Sequence, residues 1–265
     1  MNLFTVKGYL PDSNFVNKSA PDIVSFSTIA SKLSVISNNS EYCIPEYTPI
    51  GNQGSAGSCV ANAFCDGLEI LIGVQQGADK VVQLSRRHLY WIARNTHNST
   101  QVDGGTYLRA AAWQLQKIGV MPEKYYPYSD KIDDIIAKPP LSSYTMASEN
   151  RVTGHFRITT TGQNRLDEIE RAIRANHPVT FGTRISDTFK KANGKSVLKP
   201  TASTIGGHAM LVVGVRKVND RREFKWRNSW GTRWGDHGYI WVDELFMTWN
   251  RTTDLWVLTR MQEID

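Results

Sequence analysis

Residues 53–59 have the sequence QGSAGSC, which places the side-chain amide of Gln53 six residues before the thiol of Cys59. Small and polar residues fill the positions between them, as expected of a loop. After the cysteine, apolar residues recur at helical spacing, namely Ala63, Phe64, Leu68 and Leu71. We therefore expect a helix that begins at Cys59, and the positive end of its dipole would favour the reactive thiolate over the thiol.

Two later segments carry the other groups that a thiol-dependent hydrolase needs. Residues 206–209 (GGHA) place His208 between a glycine pair and an apolar stretch, and residues 227–231 (RNSWG) contain Asn228 and Trp230. Amide hydrolysis requires a nucleophile, a group that carries a proton, and donors that stabilise the tetrahedral oxyanion. The Cys59 thiol, the His208 imidazole and the Gln53 side-chain amide are groups of these three types, in that order.

Further segments stand in the same order as in the papain family of cysteine peptidases, which this sequence resembles over roughly residues 44 to 245. The separation between Cys59 and His208 also fits the range of about 130–150 residues typical of the family. The segments that carry the resemblance are IPEY at 44–47, NQG at 52–54, DGG at 103–105, YPY at 126–128, GHA at 207–209, NSWG at 228–231, WG at 234–235 and GY at 238–239. No single motif is specific for this family, but the order and spacing of all of them together are specific.

The resemblance implies a role for each of four side chains. Cys59 would be the nucleophile, His208 the general base that later protonates the departing amine, and Asn228 the residue that orients the imidazole. Gln53 would donate to the oxyanion beside the Cys59 backbone N–H. A thiolate–imidazolium pair would give activity a bell-shaped pH profile. The alternatives are a structural cysteine, a histidine satisfied within the core, and an ordinary loop amide.

Four further residues are predicted to contact the substrate. Gly104 and Gly105 match the family's glycines that pair with an extended peptide backbone, although a simple turn is the alternative. Trp230 would shield the histidine–asparagine pair from water and line the cleft, with ordinary core packing as the alternative. Gly207 stands where many family members have Asp or Asn, and it would allow close approach to the histidine. The family default is an apolar or aromatic side chain two residues before the scissile bond.

Two further positions depart from the family pattern. Val60 replaces the aromatic residue that usually follows the nucleophile, so packing behind Cys59 must differ. Ala56 replaces a cysteine that family members often bridge, so the loop must be held in another way. The three cysteines, at 43, 59 and 65, do not form a disulfide pattern. This indicates a reducing compartment or a lineage without these bridges, and we suspect a bacterial member of the family.

The predicted fold is α+β, with a mainly helical domain at 44–150 and a mainly β domain at 151–265. The resemblance implies a cleft between the helical domain and an antiparallel, barrel-like domain. The predicted helices begin at 59 and span 85–95, 106–118 and 166–175, and the predicted strands span 179–185, 209–215, 223–228, 238–242 and 255–260.

Residues 1–43 form a Ser- and Asn-rich N-terminal extension. A short helix that starts at Pro21-Asp22 would place five apolar residues on one face, namely Ile23, Phe26, Ile29, Ala30 and Leu33. Papain-like enzymes commonly carry a pro-segment that covers the cleft, so the resemblance implies that this extension blocks the active site of its own chain. The alternative is a tail that packs elsewhere or is partly disordered.

Composition and charge argue against several classes of partner and cofactor. The chain has 265 residues, 40% of them hydrophobic, and a formal net charge of +6. It lacks a standard secretory signal and the run of about 18 apolar residues that a membrane span needs. It also lacks side chains at the spacing typical of a metal site and a glycine-rich loop that would bind phosphate. The basic residues around 219–220 lack the interleaved aromatics typical of nucleic-acid binding. We therefore predict a monomer that needs no cofactor or metal. It would bind a peptide or protein substrate and would not bind nucleic acid or a membrane. It would be cytoplasmic or exported without a standard signal.

The sequence thus predicts a cysteine endopeptidase that acts through an acyl-enzyme thioester. One alternative keeps the same residues and changes the target, giving a dedicated amidase, transpeptidase or deubiquitinase-like enzyme. Another is a non-catalytic binding protein on the same fold, which would be expected to have lost Cys59, His208 or Asn228. Nothing in the sequence specifies the natural substrate.

Overall fold

The computed structural model describes residues 8–260; residues 1–7 of the predicted extension and residues 261–265 of the predicted β domain lie outside the described residues. Helices α1–α9 span Ser27–Ala30, Cys59–Gln76, Arg86–Asn95, Leu108–Lys117, Ile132–Ile136, Ser142–Ala147, Gly162–Arg174, Asp187–Lys190 and Glu244–Thr248. Strands β1–β9 span Tyr9–Leu10, Glu41–Cys43, Thr106–Tyr107, Gly154–Ile158, Val179–Ile185, Gly206–Val218, Arg221–Arg227, Tyr239–Asp243 and Thr252–Thr259.

One antiparallel sheet positions the histidine and the asparagine of the site. Its strand order is β4-β9-β5-β6-β7-β8, and β2 pairs with the distal part of β6. The first half of β6 pairs with β5 and its second half with β7. Asn219 and Asp220 form the tight turn between β6 and β7, with φ of 50° and 62°, as a type I′ hairpin requires. The hairpin therefore brings His208, near the start of β6, beside Asn228, directly after β7.

The sheet is open within residues 8–260. One edge strand, β4, makes a bridge between Arg157 and Ser25, and the other edge strand, β8, makes one between Val242 and Leu198. Other parts of the chain therefore contact both edges, and β4 does not pair with β8. The α+β prediction is confirmed, whereas "barrel-like" describes this open sheet only loosely.

Helix α2 lies in the middle of the molecule and carries Cys59 at its first position. Every residue from Cys59 to Gly73 is buried, as expected of a helix that is apolar on most of its surface. It packs against β6 on one side and against α3 and α4 on the other. The first residue of α2 is thereby held against the strand that contains His208.

The helix predicted from Pro21 is mostly wrong, because only α1 is helical there. Phe26 and Ile29 are buried as the pattern predicts, but Ile23 is exposed. The reason is a contact with a distant strand. The Arg157 backbone N–H donates to the carbonyl of residue 24, and the Arg157 carbonyl accepts the Phe26 backbone N–H. This pairing holds the residues before α1 in an extended conformation. Helix α2 begins at the predicted residue, and β5 has its predicted ends. The other predicted helices and strands are present with shifted ends, whereas β1–β4, α5, α6, α8 and α9 were not predicted as such.

A buried ionic cluster joins the helices to the sheet. Asp66 of α2 accepts from Arg86 of α3 at 2.6 Å and from Arg227 of β7 at 2.9 Å. Glu69 also pairs with Arg86, and Glu46 with Arg227. The two guanidinium groups are almost fully buried, so each depends on its carboxylates to balance its charge. Because Arg227 directly precedes Asn228, the cluster also fixes the backbone that presents this asparagine.

Asp66→Asn is therefore expected to lower the free energy of unfolding by about 3–5 kcal/mol. The amide would leave both guanidinium groups short of charge, and its NH₂ group would face a donor instead of an acceptor. Urea unfolding monitored by tryptophan fluorescence measures the effect. Asp79→Asn is the matched control, since the Asp79 side chain is 74% exposed in its ion pair with Lys80. Equal stability of the two variants would contradict a structural role for the cluster.

Candidate active site

The loop before Cys59 is held by side chains from two distant segments. Both carboxylate oxygens of Asp103 share the Gly57 backbone N–H, at 2.9 and 3.0 Å, and Oδ1 also accepts from the Tyr90 hydroxyl. The Tyr128 hydroxyl donates to the Gln53 carbonyl at 2.8 Å and lies 2.6 Å from the Ser58 hydroxyl. These contacts replace the disulfide that the family often places in this loop, where this chain has alanine at position 56.

His208 and Asn228 form a buried, hydrogen-bonded pair. The His208 Nε2 donates to the Asn228 Oδ1 at 2.7 Å, because an amide oxygen can only accept. The same oxygen accepts the Ser229 backbone N–H at 2.8 Å, which fixes the orientation of the amide. The neutral imidazole therefore carries its lone pair on Nδ1, and that atom has no hydrogen-bond partner within residues 8–260. A nitrogen in this state can accept a proton.

Trp230 covers the imidazole. The two rings are stacked, with centroids 4.6 Å apart and planes inclined by 25°. Trp230 is itself almost fully buried and packs edge-on against Phe189 and Trp234. Its position therefore fits both the predicted shielding of the His208–Asn228 bond and the alternative of ordinary core packing.

Cys59 lies against the backbone that follows His208. Its sulfur interacts with the backbone N–H groups of Ala209 and Val60, both of which favour the thiolate. Burial outweighs these contacts and raises the pKa of Cys59 to about 12. Burial likewise lowers the pKa of His208 to about 4, although its hydrogen bond to Asn228 acts in the opposite direction. In this closed state the thiol and the imidazole are both neutral at pH 7, so the expected thiolate–imidazolium pair is not favoured.

Gln53 is buried, and hydrogen bonds to both the nitrogen and the oxygen of its side-chain amide fix the orientation of that amide. Its Nε2 donates to the Ala56 carbonyl at 2.9 Å, and its Oε1 accepts from the Ser229 hydroxyl at 2.7 Å. The second hydrogen of the Nε2 group remains for another acceptor. Sequence reasoning did not single out Ser229, which connects the glutamine to the asparagine segment. Its position next to Asn228 is the one signal that could have suggested it.

The N-terminal segment occupies the cleft in front of Cys59. Strand β1 pairs in parallel with β3, and the Thr106 N–H donates to the Gly8 carbonyl at 3.0 Å. A Cβ atom added to Gly8 would lie only 2.6 Å from the Cys59 Sγ and 2.5 Å from the Gly57 carbonyl oxygen. The backbone at residue 8 is thus in contact with the thiol and excludes water from it. This contact contributes to the burial that opposes ionisation of Cys59.

The predicted substrate-binding glycines differ in their positions. Gly207 lies against Tyr9: a Cβ atom added to Gly207 would be 3.1 Å from the Tyr9 carbonyl oxygen. Gly105 uses its N–H to donate to the Tyr90 hydroxyl at 2.9 Å, so this donor is already engaged. The backbone that pairs with the N-terminal segment is β3, just after Gly104 and Gly105. Any backbone pairing with a substrate would by the same geometry involve Thr106.

The described residues show neither a cluster of metal-binding side chains nor a helix that could span a membrane. Within residues 8–260, His, Cys, Asp and Glu side chains do not gather in groups of three that could hold a metal ion. None of the helices in this range has the length and apolar character needed to cross a bilayer. The three cysteines are free thiols, with Cys59 and Cys65 buried and Cys43 partly buried.

Comparison with known proteins relates this chain to one family. The family model described as papain family cysteine protease matches residues 39–248. An uncharacterised peptidase C1-like protein of Acanthamoeba polyphaga mimivirus is 28% identical over 80% of this chain and 70% of its own length. Mouse pro-cathepsin H is 27% identical over 74% of this chain, a match that covers 56% of the cathepsin. The chain thus spans little more than half the length of that relative.

Solved structures show the same fold. Xylellain, a cysteine protease from Xylella fastidiosa, superposes with a TM-score of 0.80 at 22% identity, covering 97% of each chain. Digestive procathepsin L 3 of Tenebrio molitor gives a TM-score of 0.71 at 16% identity, covering 96% of this chain and 76% of its own. These likenesses establish the fold, and the family model, which covers most of the chain, establishes the relationship. The chain belongs to the papain family of cysteine proteases.

Proposed function

We propose that this protein is an endopeptidase in which Cys59, His208 and Asn228 form the catalytic triad and Gln53 contributes to the oxyanion hole. The observation that carries the proposal is the 2.7 Å bond from the His208 Nε2 to the Asn228 Oδ1, which leaves Nδ1 as the proton acceptor beside the nucleophile's helix. A second observation supports the proposal: the Cys59 thiol contacts the backbone N–H of Ala209, the residue after the histidine.

Hydrolysis would proceed in two steps. The His208 Nδ1 takes the thiol proton while the Cys59 sulfur adds to the peptide carbonyl carbon, and the resulting oxyanion accepts from the Cys59 backbone N–H and the Gln53 Nε2. The imidazolium then gives its proton to the departing amine, leaving a thioester. In the second step, His208 takes a proton from water while the water oxygen adds to the thioester carbon. The carbon–sulfur bond then breaks, the imidazolium returns its proton to the sulfur, and the carboxylic acid product is released.

We further propose that the N-terminal segment at residues 8–15 holds the enzyme closed. Gly8 contacts the thiol, and Tyr9 and Phe15 are buried against the rest of the protein. A procathepsin structure among the fold neighbours is consistent with such a block. Catalysis then requires the segment to leave, which readmits water and removes the burial that keeps Cys59 and His208 neutral.

The test is cleavage of a peptide library by the full chain with Tyr9→Ala, a change that loosens the segment. Cleavage at many sequences would support an endopeptidase. Failure to cleave any library peptide, while Cys59 still reacts with iodoacetamide, would overturn the proposal and favour a dedicated enzyme for one protein target. Products are identified by mass spectrometry, and the same chain with Cys59→Ala provides the background.

Gln53→Ala in the Tyr9→Ala chain is expected to lower kcat by about 10²–10³-fold with little change in KM, because its donor acts on the oxyanion of the transition state. Ser229→Ala should lower kcat about tenfold, again with little change in KM, since Ser229 positions the glutamine without touching the substrate. Gln101→Ala is the matched control, because Gln101 is exposed. An increase in KM at constant kcat would instead assign Gln53 to ground-state binding.

A further inference from the structure

The peptide group between Ala56 and Gly57 is held at both of its polar ends. Its carbonyl, which belongs to Ala56, accepts the Gln53 Nε2 at 2.9 Å. Its N–H, which belongs to Gly57, donates to both carboxylate oxygens of Asp103, at 2.9 and 3.0 Å. Because the two bonds polarise the same peptide group, each strengthens the other. One peptide group therefore connects Asp103 to the side chain that the proposed mechanism places in the oxyanion hole.

The orientation of this peptide group depends on contacts from outside the loop. A peptide group that precedes a glycine can flip, since glycine adopts positive φ about as readily as negative φ. In the flipped orientation, the Ala56 carbonyl would point away from the Gln53 amide, and the Gly57 N–H would point away from Asp103. Hydrogen bonds to an ionised acceptor are roughly twice as strong as neutral ones. The Asp103 carboxylate therefore favours the orientation in which the carbonyl binds Gln53.

Two buried side chains of α3 fix the position of this carboxylate. The Tyr90 hydroxyl donates to the Asp103 Oδ1 at 2.6 Å. Burial and the charge of Asp103 raise the pKa of Tyr90, so the hydroxyl keeps the proton that it donates. The Arg94 Cζ lies 4.0 Å from the centroid of the Tyr90 ring. Arg94 also donates to the carbonyl of Val102, the residue before Asp103. A helix, and not the loop itself, thus determines where the carboxylate lies.

The same tyrosine contacts the strand along which a substrate backbone is expected to lie. The Gly105 N–H donates to the Tyr90 hydroxyl at 2.9 Å, and β3 begins at the next residue, Thr106. The Thr106 N–H is the group that binds the N-terminal segment in the closed state. One hydroxyl therefore links the loop that carries the oxyanion donors to the strand beside the cleft.

We propose that Asp103 is a positioning residue for catalysis, which selects the orientation of the Ala56–Gly57 peptide group that holds the Gln53 amide in the oxyanion hole. The proposal rests on the proposed function, because Asp103 acts through Gln53 and does not touch the substrate. Its removal should therefore lower kcat with little change in KM, and the effect should disappear when Gln53 is absent. We expect Asp103→Ala to lower kcat by about 10- to 100-fold.

The experiment is a double-mutant cycle in the full chain with Tyr9→Ala, in which kcat and KM are measured on one fluorogenic peptide. Asp103→Ala should lower kcat by the factor given above in the Tyr9→Ala parent, but by less than about threefold when Gln53→Ala is also present. Asp103→Asn should keep kcat within about threefold of the parent, because an amide oxygen can still accept the Gly57 N–H.

Asp130→Ala is the matched control. Asp130 is also a carboxylate that binds this loop, but it accepts the backbone N–H of Ser55, at 2.9 Å, which belongs to a different peptide group. Its removal should leave kcat within about threefold of the parent. The control thus separates the orientation of the Ala56–Gly57 peptide group from a general stiffening of the loop.

The possible outcomes separate this inference from the proposed function. The inference is overturned, and the peptidase left intact, by an unchanged kcat in Asp103→Ala, by equal losses with and without Gln53, or by a loss that Asp103→Asn or Asp130→Ala reproduces in full. If the Tyr9→Ala parent cleaves no peptide although Cys59 reacts with iodoacetamide, the proposed function fails and the inference fails with it.

A second variant covers the case in which Asp103→Ala does not fold. Tyr90→Phe removes one donor to the Asp103 carboxylate at nearly constant shape. It is expected to lower kcat by about threefold to tenfold in the Tyr9→Ala parent and to have no effect on kcat when Gln53→Ala is present. The same kcat for Tyr90→Phe and the parent, or an equal loss in both backgrounds, overturns the inference.

Discussion

Replacing Cys59 by alanine in the Tyr9→Ala chain is expected to lower peptide hydrolysis by at least about 10⁴-fold. The Cys59 sulfur is the atom that adds to the peptide carbonyl in the proposed mechanism, which gives this role to no other side chain. The initial rate of cleavage of a fluorogenic peptide measures the effect.

Cys65→Ala is the matched control for this substitution. Both cysteines are buried in α2 within the same hydrophobic cluster, but the proposed mechanism gives Cys65 no role. Its replacement by a smaller residue should leave kcat/KM within about threefold. Comparable activity of the Cys59→Ala chain and its Tyr9→Ala parent would show that another group is the nucleophile.

Tyr9→Ala alone is expected to increase the rate at which Cys59 is alkylated by at least about a hundredfold. Removing a buried aromatic side chain costs about 3–5 kcal/mol, and each 1.4 kcal/mol changes an equilibrium tenfold. The substitution destabilises the docked state of the N-terminal segment, because the ring and hydroxyl of Tyr9 are held by residues of β5, β6 and β9. Labelling with iodoacetamide, followed by intact mass, measures the rate.

The pH dependence of this labelling has a defined sign. In the closed chain the raised pKa of Cys59, about 12, keeps the thiol protonated, so labelling should be slow at pH 7 and increase with pH. In the Tyr9→Ala chain, water and the ionised His208 should restore the thiolate near neutral pH. Tyr125→Ala, which truncates an exposed tyrosine, is the control. Equal labelling of all three chains would contradict a closed active site.

Parts of the fold that depend on local pattern could be predicted from the sequence. The helix at Cys59 begins where the apolar periodicity predicts it, and β5 has the predicted ends at Val179 and Ile185. These segments are long or strongly apolar, so their own residues determine their conformation. By contrast, α1 is only four residues long, because backbone pairing with Arg157 overrides the helical pattern around it.

The contacts that complete the candidate site join residues that are far apart in the chain. Asp103 holds the loop at Gly57, and Asp254 binds the hydroxyl of Tyr9 across nearly the whole sequence. No periodicity or motif indicates such a pairing, and the left-handed conformation that positions Asp254 has no sequence signal. The family order of motifs predicted which residues would be catalytic, and the structure brings His208 and Asn228 together. Their catalytic roles remain predictions.

A closed cleft and a nucleophilic Cys59 are tested most directly by intact mass after incubation with an epoxysuccinyl peptide. The samples are the full chain, its Tyr9→Ala variant and the Tyr9→Ala/Cys59→Ala double variant. We expect one adduct, formed slowly on the full chain, much faster on Tyr9→Ala, and absent from the double variant. Such a result requires both an activated thiol at Cys59 and a cleft that Tyr9 closes. An adduct that persists in the double variant, or no adduct on a folded Tyr9→Ala chain, would contradict this expectation.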